Sequence, residues 1–156
     1  KKVRPDIKRF TSSGYIDDMA AGNLCVSVGY GGDLNIAKTR AQEAKNGVEI
    51  EVLAPKSGVG IWVDSLMIPR DAQNTANAHK YINHTLDPEV AAQNGNFVTY
   101  APASRPARAL MDEKYTGDAS IFPTKELMDK SFIVSPKSTD ASRLSVRLWQ
   151  SLKAGK

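Results

Sequence analysis

The stretch from Gly58 to Pro69 decides the fold class, and it reads Gly-Val-Gly-Ile-Trp-Val-Asp-Ser-Leu-Met-Ile-Pro. Its β-branched and aromatic residues, glycine-rich entry and proline exit predict a buried strand. Trp62 and Asp64 are two residues apart, so on a strand both side chains lie on one face. A carboxylate in an apolar run is costly unless something pairs with it. The pair therefore indicates either a site for an organic cation or a core tryptophan beside an aspartate bonded to backbone amides.

Composition and charge exclude several classes of protein. The chain has 156 residues, enough for one domain with a hydrophobic core. Its 21 basic and 17 acidic residues give a net charge of +4, and no Lys/Arg cluster has interleaved aromatics. This distribution argues against a nucleic-acid partner. The sequence has neither a membrane-spanning apolar run nor a signal peptide. It also has no initiator Met, so we expect a processed chain or a fragment.

The single cysteine and the two histidines do not predict a metal site. Cys25 lies in an apolar run, which predicts a buried and inert thiol. A partner cysteine in a missing part of the protein stays an open alternative. His79 and His84 are five positions apart on a predicted helix and therefore do not share a face. We expect no metal and no cofactor.

Hydrophobic periodicity predicts alternating strands and helices. The predicted strands or extended segments cover residues 24–30, 48–53, 58–69, 97–100 and 132–135. The predicted helices cover residues 15–21, 34–46, 74–86, 88–92, 105–115 and 124–130, with a closing helix from residue 140. Asp33, Asp87 and Asp140 are predicted to cap three of these helices. Such alternation is typical of an α/β protein.

A second aromatic–carboxylate pair, Tyr30 and Asp33, follows the strand predicted at 24–30. Ligands of open α/β sheets bind at such strand ends. Tyr100 is a third aromatic of this kind, although it could be an ordinary packing residue, as Asp33 could be only a helix cap. Together with Trp62 and Asp64, these residues offer three rings and two carboxylates. A linear diamine or triamine needs carboxylates for its ammonium groups and rings along its methylene stem.

Several segments carry a resemblance to a known family. They are residues 24–33 (Leu-Cys-Val-Ser-Val-Gly-Tyr-Gly-Gly-Asp), 41–48, 62–69, 86–91 and the tail 148–156. In this order they resemble the periplasmic polyamine-binding proteins of bacterial ABC importers, the spermidine- and putrescine-binding family. The resemblance implies a non-enzymatic transport protein of the periplasm. It also implies an α/β, periplasmic-binding-protein-like (type II) fold, with the ligand clamped between two lobes.

The resemblance also implies which residues bind the ligand. The family's Gly-aromatic-x-Gly-Asp motif falls on Tyr30, where Trp is more usual, and on Asp33. Its crossing-strand aromatic and Asp fall on Trp62 and Asp64, and the tyrosine of a later crossing falls on Tyr100. These are the residues that the chemistry of the sequence singles out.

The chain departs from the family in length. Family members are much longer, so the chain looks like a C-terminal portion. The resemblance then implies that residues 1–56 belong to the second lobe and residues 57–99 to a crossing strand and helices of the first lobe. Residues 100–156 would form the return crossing and the closing helices. The expected partners are a polyamine, the permease subunits of the importer, and either the missing N-terminal half or a second copy joined through exposed strand edges.

Three alternatives stay open at this point. The chain could be a fragment without ligand binding of its own. It could be the effector-sensing domain of a regulator, although no helix-turn-helix is present. It could also be an enzyme, since fold does not determine function. Catalysis would need a nucleophile with a positioned base, and Cys25 has no histidine near it in sequence.

Overall fold

The structure, a computed structural model, describes residues 2–155. Helices dominate it. Its elements are a 3₁₀ turn at Arg4–Asp6, then α1 Tyr15–Ala20, α2 Gly31–Ala44, β1 Gly60–Ile61, α3 Thr75–Leu86, α4 Pro88–Val98, α5 Arg105–Arg108, α6 Glu113–Thr116, α7 Lys125–Lys130, β2 Phe132–Ile133 and α8 Thr139–Lys153.

The stretch that opened the sequence analysis is a strand only at β1. There Gly60 pairs with Phe132 and Ile61 pairs with Ile133, in a parallel two-stranded sheet with β2. The Val134 amide donates to the carbonyl oxygen of Ile61 at 3.2 Å, extending the pairing by one bond. The region of the chain that the structure describes is therefore helix-rich with few strands. The prediction of an alternating α/β chain is wrong in that detail.

Two other predicted strands, 24–30 and 48–53, have no regular secondary structure. Val28 is 98% exposed in the first of them, and Cys25 is exposed and free. The prediction of a buried thiol is therefore wrong. An apolar segment becomes a strand only where a neighbour supplies backbone partners, and parallel sheets are normally covered on both faces. Residues 2–155 supply no such neighbour to either segment.

The strand predicted at 97–100 is replaced by the end of α4. Asp87 caps this helix as predicted, because its Oδ1 accepts from the amides of Glu89 at 3.0 Å and Val90 at 3.3 Å. The helix continues through Gly95 to Val98 and ends at Thr99, whose φ of 56° lies in the left-handed region. The helix predicted at 88–92 is therefore longer than expected, and the buried Gly95 lets Met111 pack closely against it.

The other predicted helices are confirmed with shifted ends. Thr124 caps α7 by accepting from the Leu127 amide at 3.3 Å. Ser138, and not Asp140, caps α8 by accepting from the Ala141 amide at 3.3 Å. The helix predicted at 105–115 is two short helices, α5 and α6. None of the helices described is long and apolar enough to cross a membrane.

Most of the buried side chains in the described residues form two small groups. The first group joins α1 to α2 and consists of Tyr15, Met19, Ala37 and Ala41. The second joins α4 to the segment that follows it and consists of Ala91, Ala92, Ala107 and Met111, with Tyr115 and Phe122 packed against it. Their small size reflects the many alanines, which contribute little apolar area each.

The accessible surface of the chain is large for its length. It measures 12161 Å², whereas a compact monomer of this mass exposes about 7,700 Å². Many large apolar side chains contribute to it, including Val26, Val28, Leu53, Val63, Met67, Phe97, Ile133 and Leu148. Apolar surface of this extent is typical of interaction surfaces rather than of an isolated domain.

Candidate functional site

The candidate site is built around the first turn of α2. Tyr30 precedes the helix with φ −75° and ψ 139°, and the helix begins at Gly31. Asp33 is therefore the third residue of the helix and not its cap, so the predicted capping role is wrong. A carboxylate in the first turn is still stabilised by the positive end of the helix dipole.

Two phenols hold the Asp33 carboxylate, one on each oxygen. The Tyr15 hydroxyl donates to Oδ2 at 2.5 Å, and the Tyr100 hydroxyl donates to Oδ1 at 3.2 Å. The Tyr15 oxygen in turn accepts from the Tyr30 amide at 3.3 Å. Residues that are far apart in the sequence thus meet at one half-buried carboxylate.

Both phenols are strongly biased towards their neutral, hydrogen-bond-donating form. Burial raises the pKa of Tyr15 to about 12, and its hydrogen bond to Asp33 adds to the effect. Burial also raises the pKa of Tyr100 to about 12, followed by the charge of Asp33. A phenolate beside a carboxylate would place two like charges together. The two hydroxyls therefore remain donors throughout the neutral pH range.

Tyr100 reaches Asp33 because α4 ends sharply beside α2. Thr99 is buried, and its hydroxyl donates to the Gly32 carbonyl oxygen at 2.9 Å. This bond pins the residue before Tyr100 against the first turn of α2. On the same helix, Asn35 donates to the Ser120 hydroxyl at 2.9 Å and anchors the loop after α6. The site thus rests on hydrogen bonds that join distant parts of the chain.

Tyr30 and Trp62 form the aromatic part of the site. Their ring centroids are 5.0 Å apart and the planes are inclined at 69°, an edge-to-face contact. Both rings remain accessible, Tyr30 at 47% and Trp62 at 44%. The prediction of a buried strand at Trp62 is therefore wrong, but the two predicted aromatics do come together.

Asp64 is exposed and makes no hydrogen bond or ion pair with another residue of 2–155. Because it is not in a strand, the predicted same-face relation to Trp62 does not follow from strand geometry. The structure links Tyr30, Asp33, Trp62 and Tyr100 by contacts, while Asp64 is linked only by its closeness to Trp62 in sequence. Because the Asp64 carboxylate is exposed to water, it does not need a hydrogen-bonding or charged partner within the chain.

Sequence reasoning missed Tyr15, which the structure places at the centre of the site. The residue begins the short helix α1, and although Asp17 follows it at the spacing of Trp62 and Asp64, residues two apart on a helix do not share a face. The one available signal was Gly29, since a glycine before an aromatic can make room for a ring from elsewhere. Within the described residues, no group of three or more His, Cys, Asp or Glu could hold a metal ion.

Comparison with known proteins assigns the chain to a family. A family model described as bacterial extracellular solute-binding protein matches residues 1–129. The chain belongs to this family. The members of this family are solute-binding proteins and not enzymes. The match confirms the expected class, a non-enzymatic transport protein, and leaves the enzymatic alternative without support.

Named relatives narrow the comparison within the solute-binding family. The chain is 38% identical over 155 residues to the putrescine-binding periplasmic protein SpuD of Pseudomonas aeruginosa and 36% identical over 155 residues to the putrescine-binding periplasmic protein PotF of Escherichia coli. It is 29% identical over 156 residues to the spermidine/putrescine-binding periplasmic protein of Escherichia coli. These matches confirm the predicted resemblance and the periplasmic location.

The matches cover nearly all of this chain but less than half of each relative. They span 99% of this chain and 42% of SpuD, and the same shares hold for PotF. The chain therefore corresponds to only part of these family members.

Proposed function

We propose that this chain supplies one wall of a binding site for a linear polyamine, putrescine or spermidine, in a two-lobed solute-binding protein of type II. The complete protein would carry the polyamine to the permease subunits of an ABC importer. The observation that carries the proposal is the state of Asp33, which is half-buried and held by two phenols without a cationic partner.

The lack of a cation at Asp33 supports an external one. Within residues 2–155 the carboxylate accepts only from neutral donors and forms no ion pair, whereas the exposed Asp17 pairs with Arg40 and the half-buried Asp18 with Arg9. A partly desolvated carboxylate gains most from a charged donor, with a charge-assisted hydrogen bond contributing roughly 1.5–3 kcal/mol. A ligand ammonium group supplies such a donor.

The Tyr30–Trp62 pair suits the rest of such a ligand. Two accessible rings in edge-to-face contact offer an exposed aromatic surface next to the first turn of α2. A methylene stem can pack against the rings, and an ammonium group over a ring face gains roughly 1–2 kcal/mol when it is desolvated. A linear amine thus finds an anionic and an aromatic contact on neighbouring residues.

Asp64 is the proposed contact for a second ammonium group. It is exposed and unpaired within the described chain, and it follows Trp62 by two residues. A diamine needs two separated carboxylates, and each ring of the aromatic pair is followed along the chain by one of them, Tyr30 by Asp33 and Trp62 by Asp64. SpuD and the Escherichia coli relatives are named as putrescine- or spermidine/putrescine-binding proteins, which agrees with this ligand class.

The division of the chain between two lobes is part of the same proposal. Residues 1–56 would belong to the second lobe, residues 57–99 to the first, and residues 100–156 to the return. The pairing of β1 with β2 supports contact between the latter two segments, because it joins Gly60–Ile61 to Phe132–Ile133. The segments 24–30 and 48–53, which were predicted to be strands, would find pairing partners in the longer protein or in a second copy.

A second candidate is that the polypeptide of 156 residues alone has no tight binding of its own. The accessible surface of 12161 Å² favours this candidate, because so much uncovered apolar side-chain area indicates missing contacts. A single wall also supplies only part of the contacts that a clamped ligand makes. The two candidates agree about the role of Asp33, and the second adds that this chain in isolation lacks contacts needed for tight binding.

Calorimetry tests both candidates, the first through the chimera and the second through the chain alone. Putrescine, cadaverine, spermidine and spermine are titrated into the chain alone and into a chimera in which it replaces the matching 42% of SpuD. Mass and oligomeric state are measured for both. We expect tight one-to-one binding of at least one polyamine by the chimera and much weaker binding by the chain. Absence of binding by a folded chimera would refute the proposed function.

A further inference from the structure

We infer that Tyr15 is a positioning residue of the polyamine site, whose hydroxyl fixes the Asp33 carboxylate and the Tyr30 backbone in the geometry that receives an ammonium group. The inference rests on the proposed function and extends it to a residue that neither the motif nor the family resemblance marks. Tyr15 itself is buried, so its role is to position the groups around it.

A single atom ties the two halves of the site together. The Tyr15 hydroxyl donates to Asp33 Oδ2 at 2.5 Å, and its oxygen accepts from the Tyr30 amide at 3.3 Å. Both the anionic contact and the backbone that carries the aromatic contact are thus held from one point. Removing the hydroxyl would free the carboxylate to rotate and leave the Tyr30 amide without this acceptor.

The two phenols use only half of the hydrogen-bond acceptor positions of the Asp33 carboxylate. A carboxylate offers about four lone-pair positions, and Tyr15 and Tyr100 each take one on different oxygens. Each oxygen therefore keeps one free acceptor position, and the plane of the group is fixed. A fixed acceptor does not have to be ordered when the ligand binds, which improves affinity by preorganisation.

Two glycines make this arrangement sterically possible. A Cβ added at Gly29 would lie 2.6 Å from Cε2 of Tyr15, and one added at Gly32 would lie 2.0 Å from Cε2 of Tyr100. Neither distance is tolerated between carbon atoms. The glycines at both ends of Gly29-Tyr30-Gly31-Gly32 therefore admit the two rings whose hydroxyls converge on Asp33.

Helix α1 is held so that Tyr15 keeps its place. Met19 lies one turn further along and is buried with it against α2. Arg40 of α2 pairs with Asp17 of α1, and Arg9 pairs with Asp18. The phenol is thus carried by a helix packed and ion-paired against the element that carries Asp33.

The test compares Tyr15→Phe with Tyr81→Phe, Asp33→Asn and the double variant Tyr15→Phe/Asp33→Asn, all in the SpuD chimera and in the chain alone. Tyr81 is 61% exposed on α3 and serves as the matched control. Putrescine affinity is measured by calorimetry. Folding is checked by thermal unfolding, because Tyr15→Phe keeps the ring and its packing. A slowly exchanging, downfield hydroxyl proton is sought by NMR as a readout that does not need the ligand.

The positioning role predicts that Tyr15→Phe weakens putrescine binding about tenfold, the size expected for one hydrogen bond to a charged group. Tyr81→Phe should bind as the parent protein does. In the Asp33→Asn background, Tyr15→Phe should have little further effect, because the two residues act through one contact. The downfield proton should vanish in Tyr15→Phe and move upfield in Asp33→Asn, because an amide oxygen is a weaker acceptor than a carboxylate.

The experiment distinguishes failure of the positioning role from failure of the proposed function. If the parent chimera binds putrescine and Tyr15→Phe binds equally well, the positioning role is wrong while the proposed function stands. If the folded parent binds no polyamine, the proposed function is wrong. In that case the hydroxyl proton still decides the structural part, because its absence from the parent protein, or an unchanged chemical shift in Asp33→Asn, overturns the contact between Tyr15 and Asp33.

Discussion

Two neighbouring regions of this chain differ in what covers them. The α1–α2 region buries Tyr15, Met19 and Ala41 and joins them to Asp33 through a network of hydrogen bonds. The segment that links these two helices leaves Val28 98% exposed. The first region is complete within the described chain, and the second lacks the neighbours that would turn it into a strand.

The difference shows that the site and the sheet depend on different parts of the protein. Asp33 is positioned by Tyr15 and Tyr100, which both lie within this chain. The sheet has only the two pairs of β1 and β2. One wall of a site can therefore be preformed in a polypeptide even though its sheet is incomplete.

Substitutions at Met19 and Val28 test the comparison itself and should give the largest contrast. Met19→Ala should lower the free energy of unfolding by about 2–5 kcal/mol, because it leaves a cavity between α1 and α2. Val28→Ala should change it by less than about 0.5 kcal/mol, because the side chain is solvated. Denaturant unfolding of the chain alone measures both. Equal losses would show that the 24–30 segment is covered in solution.

Gly32→Ala should disturb the α2 end of the site. The added methyl would displace the Tyr100 ring, so we expect a stability loss of about 1–3 kcal/mol and weaker putrescine binding by the SpuD chimera. Gly117→Ala is the matched control, because its Cβ would meet only the Glu113 carbonyl oxygen at 3.7 Å. Unchanged stability and affinity in Gly32→Ala would mean that the ring does not lie where the structure places it.

Trp62→Ala and Asp64→Asn test whether the exposed side of the site contributes. Each should remove most of the putrescine affinity of the chimera, about ten- to a hundredfold, since each takes away one charged or aromatic contact. Glu49→Gln is the control, a carboxylate outside the site. Calorimetry under one buffer condition measures all three. Equal losses at all three positions would reject the assignment of the site.

Alkaline pH should weaken the α1–α2 region in a defined window. The pKa values of Tyr15 and Tyr100 are raised from 10.0 to about 12, so the folded state keeps protons that the unfolded state releases. The stability from this difference is present below pH 10 and is lost as the pH rises towards 12. Tyr15→Phe should show a smaller fall in unfolding free energy over that window, and Tyr81→Phe the same fall as the parent chain. Identical falls for both variants would contradict the burial of Tyr15.

The sequence predicted the site better than the fold. Tyr30 and Trp62 were singled out by their chemistry, and the structure brings their rings together. Tyr100 was singled out as well, and its contact with Asp33 is present. The ligand role of these residues and of Asp64 stays a prediction. Tyr15 was missed because nothing local marks a hydroxyl that acts on a residue 18 positions away.

The helices were predicted mostly correctly and the strands mostly not, for a physical reason. A helix satisfies its backbone hydrogen bonds within the segment, so the cap at Asp87 and the periodicity of α3 suffice to predict it. A strand needs a neighbour, and periodicity does not show whether the neighbour is present. The apolar run 24–30 has the composition of a buried strand and finds no partner within residues 2–155.

Calorimetric titration of putrescine into a verified monomer of this chain, beside the SpuD chimera, tests the central claim most directly. The account predicts one-to-one binding by the chimera and binding at least about 100-fold weaker by the chain, the loss expected when roughly one charge-assisted contact is absent. Tight one-to-one binding by the monomeric chain would contradict it, because the whole site would then lie within these 156 residues.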